Sequence, residues 1–175
     1  MADGPATPVR PAEHAGSIAS SATTSFVVRT DGAARGNPGP ASAGAALFDA
    51  QRLDARDPRA TPDASISEYL GVQTNNVAEY TAVVRALELA HELGAREVHL
   101  LLDSKLIVEQ LAGRWRVKDA KLIPLWSSAR GRLGTFERWT AAHVPRAQNT
   151  VADTLANEAI DRARAGGPMV VVRRP

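Results

Sequence analysis

TDGAARGNPGPASAG, at residues 30–44, is the stretch that decides the fold of this chain of 175 residues. Four glycines and an Asn-Pro pair lie in it, and a short apolar run at residues 26–28 comes just before it. Glycine and Asn-Pro pairs are typical of tight turns, and short apolar runs bounded by turn residues are typical of strands. The stretch therefore predicts a strand that runs into a glycine-rich turn at Asp31, followed by a second strand over roughly residues 43–48.

The rest of the chain alternates polar connections with helical or strand patterns. A polar segment at residues 50–64 predicts a hairpin loop that is either mobile or functional, because it exceeds the usual hairpin length. The later elements are predicted in this order: a strand over 66–72, a helix over 76–93, a strand over 97–102, helices over 106–112 and 124–133, a strand over 136–144 and a helix over 151–164. This order predicts an α/β fold with a five-stranded mixed sheet, three antiparallel strands and then parallel strands, and helices on both faces.

Composition limits the class of protein. Because cysteine is absent, the chain has no disulfide, thiolate nucleophile or cysteine-ligated metal. No apolar run approaches the roughly 20 residues of a membrane span, and no secretory or transit pattern is found, so we expect a cytoplasmic protein without a membrane partner. We expect a disordered leader at 1–24, one domain at 25–165 and a tail at 166–175, in which residues 169–172 either add a short strand or dock on the body.

Net charge does not identify a partner, because 21 Lys and Arg against 19 Asp and Glu leave only +2. The distribution is uneven, with eight basic and three acidic side chains over residues 105–138. Within this stretch Arg114, Arg116 and Lys118 surround Trp115, a pattern suited to phosphate contacts and packing against nucleic acid. The alternative is a solvated face with Trp115 in the core.

Four acidic residues stand at the ends of predicted elements. Asp31 and Asp103 follow strands, whereas Glu79 and Asp153 lie in the first turns of helices. Because ligands collect at the carboxyl ends of strands in an α/β sheet, all four converge on one rim if the first and fourth strands are neighbours. Each acid also has a simpler interpretation. Glu79 and Asp153 fit helix-capping patterns, Asp31 fits a turn, and Asp103 fits the start of the next helix.

Four separated motifs favour convergence. They are TDGAARGNPGPASAG at 30–44, TNNVAEYTAVVRALELA at 74–90, LLLDSKLIVEQL at 100–111 and HVPRAQNTVADTLANEA at 143–159. In their order and spacing they resemble the type 1 ribonuclease H family, over about residues 26–163. The resemblance is to a short form, because the segment between Asp103 and Trp126 has no room for the long basic protrusion of some bacterial members.

The resemblance implies a role for each motif. The four acidic residues would be catalytic and would hold two divalent ions, Mg²⁺ or Mn²⁺, which as hard cations take oxygen ligands. His143 would shuttle a proton or help to release product near neutral pH. The residues implied to bind nucleic acid are Gly32, Asn37, Thr74, Asn75, Asn76 and Ser104. Arg114, Arg116 and Lys118, found from their local positive charge, are expected to add phosphate contacts.

The implied function is that of a monomeric, metal-dependent endoribonuclease that hydrolyses the RNA strand of RNA/DNA hybrids and leaves 5′-phosphate and 3′-hydroxyl ends. The minor groove of such a hybrid displays the 2′-hydroxyls that identify the RNA strand. One alternative is a non-catalytic nucleic-acid binding module on a ribonuclease H-like fold. A second is a phosphotransferase with a ribonuclease H-like core, although the chain lacks the GxxxxGK[ST] phosphate loop.

Overall fold

The computed structural model describes residues 24–175. The expected disordered leader at residues 1–24 lies outside this part of the chain, apart from its last residue. That residue, Thr24, uses its backbone carbonyl to accept hydrogen bonds from the amides of Arg96 and Glu97, at 2.8 and 3.2 Å. The backbone is therefore hydrogen-bonded to the rest of the fold from residue 24.

Strands and helices alternate through the described residues. The strands are β1 (Ser25–Ala34), β2 (Gly39–Asp49), β3 (Ala64–Gln73), β4 (Glu97–Leu102), β5 (Arg138–His143) and β6 (Val170–Arg173). The helices are α1 (Asn75–Glu92), α2 (Lys105–Leu111), α3 (Ile123–Leu133) and α4 (Thr150–Arg164), with a 3₁₀ turn (Arg146–Gln148) just before α4. Among residues 24–175, no helix combines the length and the hydropathy that a bilayer crossing requires.

The strands form one mixed sheet in the order β5-β4-β1-β2-β3-β6. β1, β2, β3 and β6 pair antiparallel, whereas β4 and β5 continue the sheet parallel to β1. The predicted α/β class and mixed sheet are confirmed, but the predicted count of five strands is wrong. The tail forms the sixth strand, because residues Val170–Arg173 pair antiparallel with residues 65–68 at the open edge of β3.

Each face of the sheet buries its own set of side chains. Successive β1 residues point to opposite faces, so Val28 packs toward α1 while Val27 packs toward the other side. Helices α1, α2 and α3 cover the first face over the larger core. Helix α4 and the β2–β3 loop, residues 50–63, cover the second face over a smaller core.

Two glycines let helices touch strand backbones directly. A Cβ at Gly32 would lie 2.3 Å from the backbone nitrogen of Glu79 in α1. A Cβ at Gly44 would lie 2.2 Å from the carbonyl oxygen of Ala152 in α4. Asp31 pairs with Gly44 across the β1–β2 ladder, so both helices approach the sheet beside one carboxylate.

The β2–β3 loop is held by its own contacts. Arg52 forms ion pairs with Asp54 and Asp63, at 2.8 and 3.0 Å. Ala55 and Ala60 are buried and join the smaller core. The loop therefore replaces a helix as the cover of part of this face, which explains its length.

Candidate active site

Three carboxylates meet at one end of the sheet. Asp31 lies within β1, Glu79 in the second turn of α1, and Asp103 directly after β4. One oxygen of each lies within 4.8 Å of the others. β1 and β4 are parallel neighbours whose last pair is Thr30 with Leu102, so the residues that follow, Asp31 and Asp103, emerge side by side.

Burial and mutual repulsion shift the pKa values of these acids. Only 4% of Asp31 and 8% of Glu79 is exposed. Burial, with a further contribution from the charge of Asp103, raises the pKa of Asp31 to about 7. Burial and then the charge of Asp31 raise the pKa of Glu79 well above its usual range. Oxygen donors that repel one another so strongly form a ligand set suited to a hard divalent cation.

Asp153 stands at the rim of this cluster rather than inside it. It lies in the first turn of α4, and its charge also raises the pKa of Asp31. Its carboxylate accepts a hydrogen bond from the side-chain amide of Asn157 at 3.2 Å and lies 3.9 Å from the guanidinium of Arg146. The structure thus gathers the four predicted acids at one rim, with three in closest contact.

The simpler interpretations of these acids are mostly wrong. In the capping pattern that involves Glu79, Asn76 would be the N-cap of α1, but the N-cap is Thr74, whose hydroxyl accepts from the amide of Val77 at 3.3 Å. In the pattern that involves Asp153, Thr150 would be the N-cap of α4, but the N-cap is Asn149. Asp31 is not in a turn, because β1 continues to Ala34 before the chain reverses.

The start of α2 next to Asp103 is the one simpler interpretation that agrees with the structure. Ser104 is the N-cap, and its hydroxyl accepts from the amide of Ile107 at 3.3 Å. Because Asp103 precedes the cap, its own carboxylate stays in the acidic cluster.

Asn149 ties the cluster to α4 and was not found from the sequence. Its side chain is fully buried, and its amide donates to the carbonyl of Thr30 at 2.8 Å and to the Asp103 carboxylate at 3.3 Å. Within the described part of the chain, its Oδ1 has no hydrogen-bond partner. The only sequence signal was an Asn directly before a helix, which is also a common cap.

His143 ends β5 on the other side of Asp103. Its Nε2 lies 3.1 Å from the Asp103 backbone carbonyl, and the side chain is exposed. The ring is therefore at the edge of the cluster and open to solvent, where a histidine can exchange protons.

The carboxylates open into a polar cleft of about 260 Å³. Its lining residues are Asp31, Gly32, Asn75, Glu79, Asp103, Ser104 and Arg146. Arg146 is the second site residue that the sequence did not reveal. Because its side chain is 84% exposed and paired only at 3.9 Å, its guanidinium is available to an anion in the cleft.

Of the predicted groove residues, Gly32, Asn75 and Ser104 line the cleft. Asn37, in the turn after β1, accepts a hydrogen bond from the backbone amide of Asn75 at 3.1 Å. This contact joins the glycine-rich turn to the start of α1, where Thr74 and Asn76 also lie. Turn and helix start therefore present their polar groups together.

The basic cluster lies on a different surface. Arg114, Trp115 and Arg116 line a second cleft with Trp126, and none of them lines the acidic one. Trp115 is 46% exposed, and Lys105 lies above its ring. The alternative prediction, that Trp115 lies in the core, is therefore wrong. Arg114 is paired with Glu109 at 2.5 Å, and Arg116 and Lys118 are exposed.

The chain has relatives of known class. Residues 29–159 match the protein family described as Reverse transcriptase-like. A Ribonuclease HI of Caulobacter vibrioides is 30% identical over 158 residues, which cover 81% of this chain and 96% of that protein. The chain belongs to the type 1 ribonuclease H family. A Ribonuclease HI of Halobacterium salinarum is 42% identical over 137 residues, which cover 76% of this chain and 63% of that protein.

Solved ribonuclease H structures have the same fold. The crystal structure of RNase H1 from Halobacterium salinarum has a TM-score of 0.71 at 40% identity, covering 78% of this chain and 98% of that one. LC11-RNase H1 in complex with an RNA/DNA hybrid has a TM-score of 0.70 at 37% identity, and the match covers 79% of this chain and 99% of that one. The chain therefore shares both the family and the fold of these ribonuclease H structures.

One relative is much longer than this chain. Bifunctional protein Rv2228c of Mycobacterium tuberculosis is 44% identical over 137 residues, which cover 78% of this chain. The match spans only 36% of the mycobacterial protein, which is about a third of its length. The similarity therefore concerns the ribonuclease H domain.

Proposed function

We propose that this ribonuclease H is a metal-dependent endonuclease that hydrolyses the RNA strand of RNA/DNA hybrids. The observation that carries the proposal is the set formed by buried Asp31 and Glu79 and half-buried Asp103, which each place one oxygen within 4.8 Å of the others. Buried carboxylates without a counter-charge are costly, and a site that keeps two of them beside a third carboxylate gains from binding cations. The LC11-RNase H1 structure with its hybrid supports the substrate class.

The donor set fits two divalent cations, Mg²⁺ or Mn²⁺. Asp31, Glu79, Asp103 and Asp153 offer only carboxylate oxygens, which are the ligands that these hard ions take. When bound, such ions activate the attacking water and stabilise the leaving 3′ oxygen, so that the products carry 5′-phosphate and 3′-hydroxyl ends. Asn149 orients the Asp103 carboxylate through its amide.

The remaining cleft residues act on substrate and protons. The backbone at Gly32 and the polar groups of Asn37, Asn75, Asn76 and Ser104 face the minor groove, and Thr74 with Asn75 holds a phosphate of the DNA strand. His143, at the open edge of the cleft, accepts or delivers a proton as product leaves. Arg146 places a positive charge beside the phosphate to be cleaved.

The basic cluster extends the contact beyond the cleft. Arg116 and Lys118 are exposed and meet backbone phosphates of the hybrid, with Arg114 beside them. Trp115 provides an aromatic surface between them. We further propose that the enzyme acts as a monomer in the cytoplasm, since the cysteine-free chain has no disulfide that would require an oxidising compartment.

A cleavage assay tests the proposal. Labelled RNA/DNA hybrid, duplex RNA and duplex DNA are each incubated with Mg²⁺, with Mn²⁺ and with EDTA, and the ends are identified. We expect metal-dependent cleavage of the hybrid RNA strand. Asp103→Asn should abolish it while the circular dichroism spectrum stays native. Asp161→Asn, the same change at an exposed ion pair with Arg35 near the end of α4, should retain it.

The assay also identifies the alternative function. Hybrid binding without hydrolysis in either metal would show a binding module and overturn the proposal. Full activity of folded Asp103→Asn would overturn the assignment of the site.

A further inference from the structure

Arg29 is a buried cation two residues before Asp31. Only 2% of it is exposed, and it forms no ion pair with a carboxylate among residues 24–175. Burial and the neighbouring charge of Arg56 lower the pKa of its guanidinium. Burying an unpaired charge is costly, so its hydrogen bonds must offset that cost.

Both hydrogen bonds of Arg29 go to main-chain carbonyls in distant segments. One Nη donates to the carbonyl of Gln148 at 2.8 Å, and the other donates to the carbonyl of Arg56 at 2.9 Å. Gln148 ends the 3₁₀ turn before α4, and Arg56 lies in the β2–β3 loop. A single planar guanidinium therefore bridges a surface loop and the turn at the acidic cleft.

The turn side of this bridge leads directly to the acidic cluster. Arg29 and Thr30, adjacent in β1, hold the adjacent residues Gln148 and Asn149 by hydrogen bonds of 2.8 Å each. Asn149 also contacts the Asp103 carboxylate, and Arg146 in the same turn lines the cleft. Movement at Gln148 therefore displaces groups that touch the cluster.

The loop side of the bridge is itself well supported. Ala55, next to Arg56, is buried against the smaller core, and Arg52 pairs with two aspartates across the loop. The Arg56 carbonyl is thus a fixed acceptor rather than part of a free stretch of chain. A fixed acceptor on one side lets Arg29 restrain the turn on the other.

We propose that Arg29 is a positioning residue that couples the β2–β3 loop to the turn at residues 146–148, so that the loop helps to hold Asn149 and Arg146 at the acidic cleft. Its catalytic consequence rests on the proposed hydrolysis of hybrids, whereas the coupling itself does not. Arg29 contacts no reacting group, and it acts through the backbone of Gln148.

Two Arg→Met variants separate coupling from simple stabilisation. Arg29→Met removes both carbonyl contacts near the cleft. Arg162→Met is the matched control, because Arg162 also donates to two main-chain carbonyls, those of Ser67 and Pro168, on the β3 and β6 side of the sheet. Each variant is measured without metal by amide hydrogen exchange, and with metal by steady-state cleavage of the hybrid.

For Arg29→Met we expect faster exchange in peptides covering both 50–63 and 144–153. We also expect kcat to fall about tenfold with KM changed less than about threefold, as is typical when support of a metal ligand is removed. Arg162→Met should leave exchange over 144–153 and kcat unchanged. Arg29→Lys keeps the positive charge, but its single ammonium group cannot reach both carbonyl acceptors. We therefore expect faster exchange in only one of the two segments and a smaller fall in kcat than in Arg29→Met.

Several outcomes would overturn the coupling. Unchanged exchange over 144–153 in Arg29→Met would do so, as would equal effects of Arg29→Met and Arg162→Met. If Arg29→Met does not fold, Arg29→Lys decides the matter. Exchange rates and kcat in Arg29→Lys equal to those of the wild type would then overturn the coupling. If the wild-type enzyme does not cleave hybrids, the proposed function fails, and the exchange data still decide the coupling.

Discussion

The carboxyl group of Asp31 lies at a position where burial and neighbouring charges both oppose its ionisation. Its pKa is raised from 3.8 to about 7, so it takes up a proton more readily in the folded chain than in the unfolded one. For such an acid, the contribution to stability is fully present below pH 3.8 and is lost as the pH rises through about 7. Without metal, the ionised site therefore destabilises the fold at pH 8.

Replacing this carboxyl with an amide should relieve that cost. Asp31→Asn in EDTA at pH 8 should gain about 2 kcal/mol of unfolding free energy, or roughly 4–8 °C in Tm, and the gain should shrink as the pH falls from 7 to 4. Thermal unfolding across this pH range measures it. Asp161→Asn should show no such gain, because Arg35 lowers the pKa of Asp161. A gain for Asp31→Asn that is independent of pH would contradict the argument.

Elements with a strong local pattern lie close to their predicted positions. The helix predicted over 76–93 is α1 at Asn75–Glu92, and the strand predicted over 97–102 is β4 at the same residues. β2 starts at Gly39 rather than near 43, because its first residues are small or proline and show no strand propensity of their own. These residues become part of a strand because β2 pairs with β1 on one side and with β3 on the other, and such pairing is a tertiary contact that local sequence does not encode.

Close packing of α4 on β2 requires glycine at position 44. In Gly44→Ala, the new methyl group would meet the Ala152 carbonyl at 2.2 Å, so α4 must move away from the sheet. We expect a decrease of about 1–3 kcal/mol in the free energy of unfolding, measured by denaturant titration. Gly131→Ala in α3 is the control, because nothing lies within 4 Å of its added Cβ, and it should gain about 0.5–1 kcal/mol. Equal effects of the two substitutions would contradict this account.

The acidic cluster was predictable because it follows from the order of strands. Once β1 and β4 are neighbours, Asp31 and Asp103 must emerge together, and the motif pattern indicates that order. Contacts of Asn149 and Arg29 were not predictable in this way. Their hydrogen bonds to the opposite segment join residues 119 positions apart, and nothing in local spacing encodes such pairs. The burial of an arginine is likewise a property of the assembled sheet, loop and turn together.

The distribution of charge over the molecule predicts how binding of the proposed hybrid substrate depends on salt. The basic cluster lies beyond α2, which packs on the β4–β5 side of the sheet, whereas Arg164 and Arg173 lie toward the β3–β6 side. Removing one side chain that binds a phosphate should reduce the slope of log K against log salt by about 1. Arg116→Ser with Lys118→Ser should therefore lower the slope by about 2 and raise KM with kcat unchanged.

Two comparisons sharpen this measurement, which uses fluorescence titration of a labelled hybrid between about 50 and 200 mM salt. Arg164→Ser with Arg173→Ser removes the same charge from the opposite side and should leave the slope unchanged. Arg114→Ser should have a smaller effect than Arg116→Ser, because Glu109 already neutralises Arg114. If both double variants lowered the slope equally, affinity would follow net charge rather than its placement, and the basic cluster would have no special role in binding the hybrid.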